Sequence, residues 1–165
     1  VVDMANQLRR DDHVRCSLDI APAPVRFMTL GHDSRLGQVF TNLIDNARSF
    51  SPEGGGVRVA LRPASGRTKS GLEAEGCEIV VDDDGPGVPD HALERSFERF
   101  YTDRPNQGFG QNSGLGLSIS RQIVEAHGGT IRASNRLAPK TPGATGAAPE
   151  SVLGARFTVW LPRLA

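Results

Sequence analysis

Asp33-Ser-Arg-Leu-Gly-Gln-Val-Phe-Thr-Asn-Leu-Ile-Asp-Asn-Ala-Arg-Ser-Phe50 carries apolar residues at positions 36, 39, 40, 43, 44, 47 and 50. Steps of three and four place them on one continuous stripe of an α-helix, and Asp33 or Ser34 can cap its start. Asn42 and Asn46 are four apart, so both amides project from one side of this helix, beside the stripe. That helix edge is expected to border a cavity. An amide carbonyl is a good oxygen ligand for Mg²⁺, which keeps several waters and shares phosphate oxygens. Two solvated or capping asparagines on a helix flank would give the same spacing.

On the N-terminal side, Val1, Met4, Ala5 and Leu8 recur at helical spacing, Val14, Cys16, Leu18 and Ile20 alternate as a strand, and Val25 to Leu30 reads as a short extended or turn segment. On the C-terminal side, Pro52 and Gly54-Gly55-Gly56 stop the helix. Val57, Val59 and Leu61 then alternate with Arg58, Ala60 and Arg62, a strand with one wet face. Residues 63–76 read as a polar hairpin loop, and Ile79-Val80-Val81 as a buried strand running into Asp82-Asp83-Asp84 and the Gly85-Pro-Gly87-Val-Pro89 turn. Pro89-Asp90 is expected to open a short helix that carries Phe97, and Arg99 to Asn112 to be a mobile loop. Leu115, Ile119, Ile123 and Val124 predict a helix ended by His127-Gly128-Gly129. Ile131 to Ser134 and Phe157, Val159 and Leu161 predict two strands, separated by a Pro/Ala/Gly/Thr-rich insert at 136–153 expected to be disordered.

A chain of 165 residues fits one domain. Its 19 basic and 19 acidic residues cancel, which argues against binding nucleic acid or a membrane surface through bulk charge and makes any phosphate binding local. Cys16 and Cys77 form neither a metal-ligand spacing nor a disulfide framework, so a reduced cytosolic setting is expected. No stretch approaches the roughly 20 apolar residues of a membrane-spanning helix. The start Val1-Val-Asp-Met is neither a signal peptide nor an initiator Met, and a piece of a longer protein is expected. His13, His32, His91 and His127 are scattered, with no metal or triad pattern.

Two further clusters carry chemistry. Asp84 closes a hydrophobic strand ahead of glycines, where a carboxylate can accept a hydrogen bond from the exocyclic amine of adenine. Asp82 and Asp83 compete for that role or form a metal cluster with it, and alternation puts 82 and 84 on the same face; an ordinary Asp-Gly turn is the bland alternative. Ser113-Gly114-Leu115-Gly116-Leu117 places glycines at a helix start, where free N–H groups and the helix dipole favour phosphate. Neither a P-loop nor a complete dinucleotide fingerprint is present. Phe97, Phe100 and Tyr101 read as core, with an adenine-binding or partner-docking surface as the alternative, and Arg99 and Arg104 flank them.

In this order the clusters resemble the ATP-binding catalytic domain of bacterial sensor histidine kinases, within the superfamily of gyrase B, Hsp90 and MutL. Asp33 to Ala47 resembles the N box, Asp84-Gly-Pro-Gly-Val-Pro the first glycine box, Phe97-Glu-Arg-Phe-Tyr101 the F box and Gly110 to Leu117 the second glycine box. His127-Gly-Gly, Ser134-Asn135 and the closing Phe-Thr-Val-Trp-Leu-Pro162 are similar to the C-terminal signature. The resemblance implies an α+β fold, a two-layer α/β sandwich of the Bergerat type with a mixed, mostly antiparallel sheet and helices on one face. It implies a catalytic domain over 13–165, an ATP lid over 98–113, and residues 1–12 as the tail of a linker helix from a dimerisation domain.

By the same resemblance, Asn46 would ligand Mg²⁺, Asn42 would support metal and phosphates, and Asp84 would take the adenine amino group beside Gly85 and Gly87. Ser113, Gly114, Leu115, Gly116 and Leu117 would wrap the phosphates, with Phe50 and Tyr101 lining the nucleotide. The chain has Ser49-Phe50 where the family usually has Lys-Tyr, Thr102 in place of an arginine, and Gly154-Ala155 in place of Gly-Thr. Arg48 and Arg104 are therefore the candidate substitutes for the phosphate contacts, Arg104 with a catalytic part beside Asn46. The implied function is the Mg-ATP-holding half of a histidine kinase that phosphorylates a His on its own dimerisation domain, from which a response regulator takes the phosphoryl group. The parent would be a homodimeric inner-membrane sensor with this domain in the cytoplasm, the piece alone being monomeric, and nucleic acid is not an expected partner. A nucleotide-binding module without catalysis and a serine kinase of the anti-sigma type are the alternatives. The Hsp90 and MutL kind of switch is disfavoured, because Gln38, Asn42 and Asp45 leave no catalytic Glu on the helix.

Overall fold

The structure, a computed structural model, describes residues 15–21, 28–68, 70–101, 114–139 and 151–163. Within them a five-stranded sheet runs β1 (Arg15–Ile20), β2 (Gly56–Arg67), β3 (Glu73–Asp82), β4 (Thr130–Leu137) and β5 (Val152–Pro162) along the chain, in spatial order β1-β2-β3-β5-β4. β1 lies parallel to β2 and every other pair is antiparallel, a mixed sheet as expected. Two helices, α1 (Asp33–Phe50) and α2 (Gly116–Ala126), pack on each other and on one face of the sheet. The result is the α+β sandwich.

Register sorts the side chains between the faces. Val59, Val81, Phe157 and Ala133 sit side by side across four strands, as do Leu61, Ile79, Val159 and Ile131, and these two rows face the helices. α1 answers with Val39, Leu43 and Ile44, each fully buried, so the stripe read from the sequence is the stripe that packs. Truncating Leu43 to Ala in such a core would cost about 2–5 kcal/mol. The opposite row, Arg58, Asp82, Arg156 and Ser134, lies on the open face of the sheet.

Three expectations need correction. The polar loop at 63–76 is a continuation of β2 and β3, paired from Pro63↔Cys77 to Arg67↔Glu73. Trp160 explains it: its ring lies against Gly66 and Gly76, and its Nε1 donates to Ala64 O at 2.9 Å. The insert expected over 136–153 is narrower, since Arg136↔Gly154 and Leu137↔Val152 are paired and Ala138 N donates to Ser151 O at 2.9 Å. The short helix carrying Phe97 is instead two separate 3-10 turns, Asp90–Ala92 and Arg95–Phe97. The expected linker tail at 1–12 and most of the expected lid, 102–113, lie outside the described residues.

Candidate nucleotide site

Asn42 joins the two helices. Its Nδ2 donates to Gly116 O at 3.1 Å and to Ser120 Oγ at 3.3 Å, and Ser120 is itself fully buried with Oγ donating to Gly116 O at 2.8 Å. A shared pair of donations fixes which end of the amide is nitrogen. One turn further along α1, the half-buried Asn46 side chain has no hydrogen-bond partner among the described residues. Its amide is therefore available to a ligand.

The start of α2 meets this edge. Gly114 has φ +64, a conformation that favours glycine, and a side chain there would run into the backbone of Phe100 and Tyr101. Phe100 N donates to Gly114 O at 3.0 Å, so the two segments are tied to each other. Among the described residues no side chain caps α2, whose first helical bond runs from Ile119 N to Leu115 O. The first-turn N–H groups of such a helix form an anion site with the dipole behind them.

The three aspartates divide between the two faces of the sheet. Val59↔Val81 faces the helices, so Asp83, two residues on, does too, while Asp82 and Asp84 face away. Asp82 forms a bidentate pair with Arg156, at 2.7 Å twice. Asp84, expected at the adenine, has its carboxylate engaged on the open face: Arg58 donates to both oxygens, Arg136 Nη1 to Oδ1 at 3.0 Å and Gly56 N to Oδ2 at 2.9 Å. Burial pushes its pKa up, but the Arg58 and Arg136 hydrogen bonds and the Gly56 N–H outweigh that and hold it below the usual carboxylate range. Asp84 is a strut between β2, β3 and β4.

Asp83 is 1% exposed and points to the helix side. Its Oδ1 accepts from Gly85 N at 2.8 Å and Ala155 N at 2.9 Å, and no described residue donates to Oδ2. Burial raises its pKa against the opposing pull of the Ala155 and Gly85 N–H groups and the Arg136 charge. A buried carboxylate with one oxygen anchored and the other unpartnered is the acceptor that an exocyclic amine requires. Counting by twos from Val81 along the sequence is enough to place Asp83 on the helix side.

Around Asp83, a Cβ on Gly85 would lie 2.7 Å from Phe50 O, which brings the glycine turn against the C-terminal end of α1. Gly87 has φ +81, and the half-buried Val88 is held by Asn135. Phe97 is core, edge-on to Phe157 at 6.2 Å and covered by the Arg121 guanidinium. Phe100 is instead 73% exposed, and half-buried Tyr101 stacks under Arg95. Arg48 lies 4.0 Å from Asp45. Ser113 and Arg104 lie outside the described residues. His127 is structural: its Nδ1 meets Ile123 O at 2.7 Å and its Nε2 accepts from His32 N at 3.2 Å.

A cavity of about 660 Å³ lies at the other end of α1, lined by Met28, Leu36, Phe40, Cys77 and Leu161 among others, and contains none of the candidate residues. Among the described residues no cluster of His, Cys, Asp or Glu could hold a metal. The Asn46 amide, the uncapped α2 start and the half-satisfied Asp83 fit a nucleotide whose own phosphates would supply most of the ligands to Mg²⁺.

The family model for histidine kinase-, DNA gyrase B-, and HSP90-like ATPases matches residues 31–165. The sensor protein ChvG of Agrobacterium fabrum is 49% identical over 144 residues, 86% of this chain and 21% of that protein. The signal transduction histidine-protein kinase/phosphatase MprB of Mycolicibacterium vanbaalenii is 36% identical over 137 residues, 83% of this chain and 25% of that one. A solved structure of a mycobacterial sensor histidine kinase MprB superposes with a TM-score of 0.70 at 30% identity, covering 98% of this chain and 91% of that one. The chain thus spans about a fifth to a quarter of the length of these curated relatives.

Proposed function

The chain belongs to the histidine kinase-, DNA gyrase B- and HSP90-like ATPase family, and on that premise we propose that it is the ATP-binding catalytic domain of a sensor histidine kinase. The observation that carries this reading is the placement of an unpartnered Asn46 amide beside an uncapped helix start, with buried Asp83 at the glycine turn. The kinase name of the MprB relative, beside the sensor name of ChvG, supports the class of reaction.

In this reading the Asp83 carboxylate accepts the adenine amino group, with Gly85 and Gly87 allowing the base to approach the backbone. Gly114, Leu115, Gly116 and Leu117 offer N–H groups to the phosphates, Ser113 beside them, with Phe50 and Tyr101 bordering the nucleotide. Asn46, supported by Asn42, presents its carbonyl oxygen to Mg²⁺, and Arg48 and Arg104 serve the phosphates in place of the family's lysine and arginine. Mg²⁺ held there would supply positive charge beside the transferring phosphoryl group, and positioning by the residues named would do most of the remaining work. The acceptor is a His on the dimerisation domain of the parent protein, and a response regulator takes the phosphoryl group from there. The parent is a homodimeric membrane sensor.

The test is transfer of label from Mg-ATP to a separately prepared His-bearing dimerisation domain of the parent protein. Acid-labile label on that domain is expected, abolished by Asn46→Ala. ATP binding without any label on the acceptor would replace the kinase with a nucleotide-binding module.

A further inference from the structure

Val88 follows the Gly85-Pro-Gly87 turn and lies outside every strand, yet both of its backbone polar groups are paired with one side chain. Asn135 Oδ1 accepts from Val88 N at 2.8 Å and Asn135 Nδ2 donates to Val88 O at 2.7 Å, across 47 residues of chain. A primary amide reproduces the donor and acceptor of a peptide group, so Asn135 acts as one rung of a ladder for a segment that has no strand beside it. The space a Cβ would need on Gly87 is filled by Val152 and by Asn135 Oδ1. The turn is thereby seated on β4 and β5.

The same level of the sheet anchors the carboxylate. Asn135 is paired with Ala155, and Ala155 N is a donor to Asp83 Oδ1. On the other face the neighbouring Arg136 bridges Asp82 and Asp84. Asp83 and the turn that faces the base are therefore both referenced to the Asn135–Ala155 pair. Loss of the Asn135 amide would free the Gly87–Val88 end of the turn and leave Asp83, with Gly85 N on it, anchored.

We propose that Asn135 is a positioning residue for base recognition: it sets where the Gly87–Val88 end of the turn lies relative to Asp83, and so the affinity for adenine, without touching the nucleotide. This rests on the assignment of Asp83 as base acceptor. The phosphate end, built on α1 and α2, does not depend on it.

The experiment compares Mg-ADP with Mg-tripolyphosphate, each titrated into the whole chain and read by thermal stabilisation. Misplacing one wall of a site can cost an order of magnitude or more, so Asn135→Ala is expected to weaken ADP about tenfold while tripolyphosphate changes less than about twofold. Asn135→Asp keeps an acceptor for Val88 N but sets a carboxylate oxygen against Val88 O, so it is expected to weaken ADP as the alanine variant does; if the alanine variant does not fold, the aspartate variant carries the comparison. Equal losses for both ligands, or none for ADP, would overturn the proposal. Wild-type protein that binds ADP no better than tripolyphosphate would instead sink the nucleotide-site reading beneath it.

Discussion

Replacing each of two neighbouring aspartates by asparagine separates the two faces of the sheet. In Asp83→Asn the amide oxygen can still accept from Gly85 N and Ala155 N, which turns the new NH₂ toward the position of Oδ2. A donor then meets the donor on adenine. A hydrogen bond to a charged group contributes about 1.5–3 kcal/mol, and about 1.4 kcal/mol is tenfold, so ADP affinity is expected to fall by roughly 10- to 100-fold. Asp84→Asn acts on the other face, where its carboxylate joins Arg58, Arg136 and Gly56 N. Arg136 is only 16% exposed at its side chain, so weakening that network is expected to cost about 1–2 kcal/mol, a melting shift of roughly 2–8 °C, with ADP affinity within about twofold of wild type. Calorimetric titration with Mg-ADP and thermal denaturation of both variants give the two readings. ADP binding lost in Asp84→Asn and kept in Asp83→Asn would refute the register argument.

Gly114→Ala would place a methyl against the Phe100 and Tyr101 backbone at a positive φ, a strain of about 1–2 kcal/mol; titration should show weaker ADP binding with the core's near-ultraviolet circular dichroism unchanged. The two aspartates should also titrate oppositely. The raised Asp83 pKa means that acidification protonates the base acceptor earlier than an ordinary carboxylate of pKa about 3.9, so ADP affinity should begin to fall above that pH range, read by calorimetry at stepped pH. The lowered Asp84 pKa contributes stability that is present above about pH 3.9 and lost as pH falls through the folded value, so the melting difference between wild type and Asp84→Asn should close in that acid window.

Local periodicity was enough for α1, because every residue it buries, Val39, Phe40, Leu43, Ile44 and Ala47, lies on the stripe. It was also enough for the order of most elements, while the joint between Asn42 and the α2 start, 74 residues apart, leaves no local signal. The hairpin of β2 and β3 was hidden for a physical reason: Pro63, Gly66 and Gly76 are loop punctuation unless a large ring covers them, and that ring, Trp160, lies far along the chain. The aspartates were decidable in principle, since counting by twos from Val81 reaches Asp83 on the helix side. The glycines after Asp84 drew attention to a carboxylate that the fold engages with Arg58 and Arg136 on the open face. Nothing local marks Asn135 as the partner of Val88, because a side chain that imitates a backbone leaves no periodic trace.

Asn42 gives its nitrogen to Gly116 and Ser120, and so only its carbonyl oxygen remains for any other purpose. Aspartate there would set a negative charge against a helix carbonyl, and leucine would remove both donations, leaving Ser120 Oγ only its own bond to Gly116 O. The spacing of two helices and the supply of one oxygen are thus written in a single residue. Selection on either property constrains the other, so this position can drift only when the helix contact and the ligand chemistry change together.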